Sequence, residues 1–231
     1  MSFTPFQHLI AQVTLEAIAD LGFALGGGQA LHAHGYGDRL SLDLDFYVTR
    51  FDQELFDRAE TATLAALRAR GYTAQVGHSD TWLRQILVND PTTGEQVVLD
   101  LGQDYRQNPP IVITGLGPVI DLADAAASKA RALNDRRAAR DYLDLHALLS
   151  QTAWTPTRLF TALRDNLRPT ITVEEFAADL AAAGKQDPED YHAYGLTDAD
   201  ITRLGADFTS WAAELQTQDT DDRDAQFGGH H

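Results

Sequence analysis

Residues 40–48 constrain this chain more than any other segment. Apolar and polar positions alternate there with a period of two, with Leu42, Leu44 and Phe46 on one side and Ser41, Asp43, Asp45 and Tyr47 on the other. That is the pattern of a strand whose successive side chains leave opposite faces of a sheet. One face can be buried. The other is acidic and must be solvated, paired or occupied. Just upstream, the apolar run Phe23–Leu25 is closed by Gly26, Gly27 and Gly28, which reads as a buried strand entering a tight turn.

The flanking segments alternate between helical and strand periods. Phe6–Leu21 reads as an amphipathic helix, Gln29–His34 as a short one and Asp52–Arg70 as a longer one stopped by Gly71. Tyr72–Val76, Trp82–Val88 and Gln96–Leu101 read as strands, the last two joined by the turn Asn89–Gly94, with Ile111–Ile113 as a further short edge. Beyond Val119 the strand signal stops. Helices are predicted over Leu122–Leu133, Asp141–Leu149, Thr157–Asn166, Val173–Ala183 and Asp198–Leu215. The expected organisation is an α/β domain over residues 1–118, a helical domain over 119–215 and an acidic, disordered tail over 216–231. The terminal Gly-Gly-His-His is assigned no role.

The chain has no cysteine, so any metal here is held by oxygen or imidazole. Its formal charge of -16 argues against broad, sequence-independent binding to nucleic acid, which needs clustered Lys and Arg. With no apolar stretch of about 18 residues and no basic-then-apolar amino terminus, neither a membrane span nor a secretory signal is expected, and the expected location is cytoplasmic.

Aspartates at i and i+2 of a strand share a face, with Cα atoms about 6.6 Å apart. At an effective dielectric near ~20, two such charges repel by about 2 to 3 kcal/mol, unless solvated, protonated or bridged by a cation. Asp43 and Asp45 therefore read either as the wet side of an edge strand or as ligands of a hard cation, Mg2+ or Mn2+. A cation there suits phosphoryl-group chemistry, bridging triphosphate oxygens and activating a hydroxyl. The backbone N–H groups of the glycine turn would cradle phosphate. His32 and His34, at i and i+2 of a short helix, do not share a face and are read as structural. Trp82, Trp154 and Trp211 are expected in cores.

The stretch Gly27-Gly28-Gln29, followed by Arg39-Leu-Ser41-Leu-Asp43-Leu-Asp45-Phe46, resembles the first motif of the polymerase-beta-like nucleotidyltransferase superfamily. More narrowly, it resembles the AbiEii/AbiGii toxin family, which includes the MenT-type toxins. That family typically has Thr where this chain has Gln29. A second segment, Ser128-Lys129 through Arg136 and Arg140-Asp141 to Asp144, is similar to the family's lysine helix and its Arg-Asp-x-x-Asp motif. The resemblance implies a nucleotidyltransferase-fold mixed sheet with flanking helices, and transfer of NMP from an NTP to an acceptor hydroxyl. It implies Asp43, Asp45 and Asp100 as the metal-binding acids, with Asp100 helping to deprotonate the acceptor. Gly27, Gly28, Ser41, Lys129, Arg136 and Arg140 would bind the nucleotide, with Arg39, Asp141 and Asp144 in support, the last two holding Lys129 or an arginine. It also implies a tRNA 3′ end as acceptor and a separately encoded antitoxin as partner.

Plainer readings stand beside these. Asp100 can instead pair with a buried arginine, Lys129 can be a solvated helix lysine, and Asp141 can be a helix cap. Lys129, Arg136 and Arg140 fall on one helix stripe only if Asn134-Asp135 does not interrupt the helix. An aminoglycoside-like small molecule, a protein side chain, or a non-catalytic scaffold role remain the alternatives for function.

Overall fold

The computed structural model describes residues 3–50, 52–166 and 168–227. It separates into two compact units, Met1–Ala125 and Ala126–His231. The terminal Gly-Gly-His-His lies outside the described residues.

The first unit begins with α1 (Pro5–Ala17), started by Pro5 at its first position and by a reciprocal capping box between Thr4 and Gln7. Then follow β1 (Ala24–Leu25), α2 (Gly27–Ala33), β2 (Asp43–Val48), α3 (Gln53–Ala69), β3 (Thr73–Ser79), β4 (Leu83–Asn89), β5 (Gln96–Gln103), β6 (Ile111–Ile113) and β7 (Gly117–Val119). The strands form one mixed sheet in the order β3-β4-β5-β2-β1-β7-β6. β2 runs parallel to β5 and antiparallel to β1.

The sheet's two faces are settled by α3. Arg84 of β4 reaches Asp57 and Glu60 of α3 and lies over the Phe56 ring, so the face bearing Arg84 is the one α3 covers. In register on that face are Leu44, Phe46, Ile86, Val88, Leu99 and Leu101, all buried. Phe23 packs edge-on to Phe56 in the same layer. Burial of this size, at about 25 cal/mol per Å² of apolar area, fixes the register. A slip of one residue would turn Asp43 and Asp45 into the core.

Several predicted boundaries move, for identifiable reasons. The strand expected from Leu40 starts at Asp43. The Ser41 carbonyl accepts amide donors from Gln7 (2.7 Å) and Gln29 (3.5 Å), and Leu42 is 73% exposed. The helix expected from Gln29 begins at Gly27, and β7 has no sequence signal because Gly117 and Pro118 break the alternation. β7 forms through parallel pairing of Val119 with Leu25. Trp82, expected in a core, is 57% exposed, because it sits in a turn where Asp80 caps the Trp82 and Leu83 N–H groups ahead of β4.

The second unit is helical. α4 (Leu122–Arg136) crosses the boundary, followed by α5 (Ala139–Gln151), α6 (Pro156–Asn166), α7 (Val173–Ala181), the short unpredicted α8 (Pro188–His192) and α9 (Asp198–Phe227). Its core is built on Tyr142, Phe176, Tyr191 and Phe208, each fully buried. Tyr142 and Trp211 both meet Phe208 edge-on. α9 continues past the predicted end at Leu215 into the segment expected to be disordered. Side-chain bonds at i,i+4 there, from Thr217 to Ala213 and from Thr220 to Gln216, accompany the extra turns.

The basic stripe expected from Lys129 to Arg140 does not form on one helix. Asn134-Asp135 do not break α4, but Arg137 does, with φ at 49° in the left-handed region. The strained residue is held by its guanidinium on Asp179, which Asn134 also approaches. Lys129 and Arg136 share α4, whereas Arg140 belongs to α5. Among the described residues no helix is long and apolar enough to cross a membrane.

Candidate active site

The sheet face opposite α3 carries the acids. Parallel pairing of β2 with β5 sets Asp45 directly beside Asp100, and antiparallel pairing of β5 with β4 sets Gln85 on the other side of Asp100. In-register neighbours on adjacent strands share a face about 4.8 Å apart, so residues more than fifty positions distant in sequence meet. Each acid has a neighbour that donates to it. Ser41 Oγ donates to Asp43 Oδ1 (2.9 Å), Tyr47 Oη to Asp45 Oδ1 (3.1 Å) and Gln85 Nε2 to Asp100 Oδ1 (3.1 Å).

The glycines are needed by their neighbours. A Cβ on Gly27 would lie 1.8 Å from Asp45 Oδ2, and one on Gly28 2.5 Å from an Arg39 guanidinium nitrogen. Gly27 also has φ at 60°, a conformation costly for any other residue. Gln29, in the place of the family's threonine, is fully buried and faces inward, its amide toward Ser41 and its oxygen 3.1 Å from His32 Nδ1.

Electrostatics tie the acids together. Burial, joined by the charge of Asp43, raises the Asp100 carboxyl above its ordinary range even though the Gln85 hydrogen bond pulls it down. Burial pushes the Tyr47 phenol well above its ordinary value, with Asp45, Asp104 and Asp100 adding to the effect, so it stays a donor. Among the described residues no three acidic or imidazole groups converge closely enough to hold a metal ion together. The acids repel and each is tied to its own neighbour. A hard divalent ion often takes only one or two protein carboxylates and completes its shell with water and phosphate, and the donor set of Asp43 and Asp45 fits that requirement.

With this geometry in view, the family model described as "Nucleotidyl transferase AbiEii toxin, Type IV TA system" matches residues 10–226. The chain belongs to the AbiEii nucleotidyltransferase toxin family. The fold is similar to JHP933 from Helicobacter pylori, at 20% identity and a TM-score of 0.56 over 96% of this chain and 97% of that one. A second H. pylori protein, described as a candidate nucleotidyltransferase, matches with the same score and identity over 94% of this chain and 97% of that one. The Megavirus polyadenylate synthase is more distant, at 17% identity and a TM-score of 0.45 over 65% of this chain and 32% of that one. No curated protein matches.

In this AbiEii family member the remaining expected residues lie in the second unit and form a network of their own. Lys129 Nζ is 2.7 Å from Asp144 and 4.0 Å from Asp141, and Arg136 makes two 2.8 Å bonds to Asp141. Lys129, Asp141 and Asp144 are buried, so the lysine is not a solvated helix residue. Asp141 lies in the first turn of α5, but its carboxylate is engaged by Arg136 and lies by Lys129, and no side chain caps that helix. Asp100 faces Gln85, and the buried arginine on the neighbouring strand, Arg84, serves Asp57 and Glu60 instead. Tyr47 is the residue that sequence reasoning passed over. Its signal was present, since it shares the face of Ser41, Asp43 and Asp45.

Proposed function

We propose that the chain transfers NMP from an NTP to an acceptor hydroxyl, with Asp43 and Asp45 as ligands of Mg2+ or Mn2+ and Asp100 as the base. The observation that carries this is the register pairing of Asp45 with Asp100, which sets an acid of raised pKa beside the β2 pair. A bound divalent ion would neutralise charge on the triphosphate and favour departure of pyrophosphate. Asp100 takes the acceptor proton as the hydroxyl oxygen bonds to the α-phosphorus, and the bond to pyrophosphate breaks with its electron pair. The Gly27 and Gly28 backbone lies against Asp45 and the Arg39 guanidinium, and its N–H groups would join that guanidinium in holding phosphate. Of the basic residues carried over by the resemblance, Lys129 and Arg136 pair with buried aspartates, which supports a role in organising the helical unit. Arg140, in α5, makes no ion pair with a described residue.

For the acceptor we favour a tRNA 3′ end, with an antitoxin as partner, in line with the toxin–antitoxin family. The charge of -16 gives specific weight to a second reading, in which the acceptor is a small cationic compound. Incubating the protein with each labelled NTP, magnesium and either total RNA or an aminoglycoside separates the two. Label in tRNA supports the first, and label only in the small molecule overturns it.

Gly27→Ala forces a methyl onto Asp45, so nucleotide transfer should fall about a hundredfold while circular dichroism shows the fold retained. Wild-type turnover in that variant would exclude the close approach as a requirement. In the metal-free protein Asp100 should lose its proton above the ordinary aspartate range, and a divalent ion beside it should lower that value. Activity should fall as pH drops through that value, because the base must be ionised. The sign for stability is opposite. A carboxyl raised by folding contributes stability at low pH that is lost as pH rises through its folded value. An acidic limb that is unchanged in Asp100→Asn would remove Asp100 from the base role.

A further inference from the structure

The acid pair of β2 is bracketed at strand spacing by two hydroxyls, Ser41 on Asp43 and Tyr47 on Asp45. The second bracket is built in an unusual way. The Tyr47 ring lies between two glycines from different elements. A Cβ on Gly26, in the turn before α2, would fall 2.3 Å from Tyr47 Cδ2, and one on Gly102, in β5, would fall 3.2 Å from Cε1. Gly26 has an extended backbone (φ -125°) and Gly102 sits within a strand. Neither conformation calls for glycine, so what the missing side chains provide is room for the ring.

The phenol held in this slot donates to Asp45 Oδ1, while Oδ2 lies against Gly27. An aspartate's terminal torsion is otherwise broad, and a fixed donor on one oxygen sets the direction of the other. We propose that Tyr47 is a positioning residue, holding the Asp45 carboxylate in the orientation that a divalent cation requires. The proposal rests on the reading of Asp43 and Asp45 as cation ligands. Groups that orient a metal ligand typically change metal affinity by about 10- to 100-fold when removed.

The test is Tyr47→Phe in the full chain, which leaves the ring in its slot and deletes only the donor. Manganese binding, followed by electron paramagnetic resonance with Mn2+ alone, should weaken about tenfold, with the unfolding midpoint and near-ultraviolet circular dichroism unchanged. In the transfer assay the magnesium concentration for half-maximal rate should rise by a similar factor, and kcat should recover at saturating magnesium. If the variant binds Mn2+ like wild type while Asp45→Asn does not, the positioning role is overturned and the cation site stands. If wild type and Asp45→Asn bind Mn2+ alike, the cation site itself fails and takes the proposal with it. Should Tyr47→Phe not fold, Gly102→Ala carries the test, because it keeps the phenol and crowds its ring. Weaker Mn2+ binding supports the role, and unchanged binding overturns it.

Discussion

Asp45→Asn should abolish nucleotide transfer while leaving the fold intact. Asp45 is half-buried on the sheet face opposite α3, so an isosteric amide keeps its packing and disturbs no apolar core. What changes is the charge. A carboxylate that helps hold a divalent ion contributes several kcal/mol to the stabilisation of the reacting phosphate, and each 1.36 kcal/mol is a factor of ten in rate, so a loss on the order of a thousandfold is expected. Relief of repulsion between Asp43, Asp45 and Asp100 should hold the unfolding free energy constant or raise it slightly. Label incorporation and urea denaturation of the same preparation check both halves. Transfer within tenfold of wild type would remove Asp45 from the chemistry.

The second large effect concerns stability. Lys129→Met should destabilise the helical unit by about 3 to 5 kcal/mol, the usual consequence of removing one partner from a buried ion pair. The Lys129 and Asp144 side chains are 9% and 2% exposed and 2.7 Å apart, and Asp141 is fully buried 4.0 Å from the same ammonium. Solvent screens such a pair little, and methionine fills the volume without supplying the charge. Arg136 still serves Asp141 in this variant. Urea denaturation with secondary structure as the probe would measure it. A cost below about 1 kcal/mol, as for a surface pair, would show that the lysine is not a structural cation. Loss of activity in this variant then has to be read beside its stability, because an unfolded fraction loses activity without any phosphate contact.

Much of the candidate site's face was legible in residues 40–48, because a strand's period of two is local. Ser41, Asp43, Asp45 and Tyr47 must share a side once the apolar positions are buried, whatever the rest of the molecule does. The glycine turn was legible for a similar reason, since three consecutive glycines cannot serve as packing residues. Asp100 was visible only as a carboxylate misplaced in an apolar strand. Where it goes depends on which strand β5 pairs with, and pairing is not a local property.

The chain's own order of residues thus settled the alternation of β2, the helical character after Val119 and the family motifs, each read from neighbours a few positions apart. Tertiary structure alone decided that Asp100 stands beside Asp45, that Lys129 is buried between Asp144 and Asp141, that Trp82 is exposed, and that Tyr47 is gripped by Gly26 and Gly102. The physical reason is one of range. Periodicity and turn chemistry act through adjacent peptide units, whereas strand register, charge pairing and ring clearance are set by atoms that only folding brings into contact.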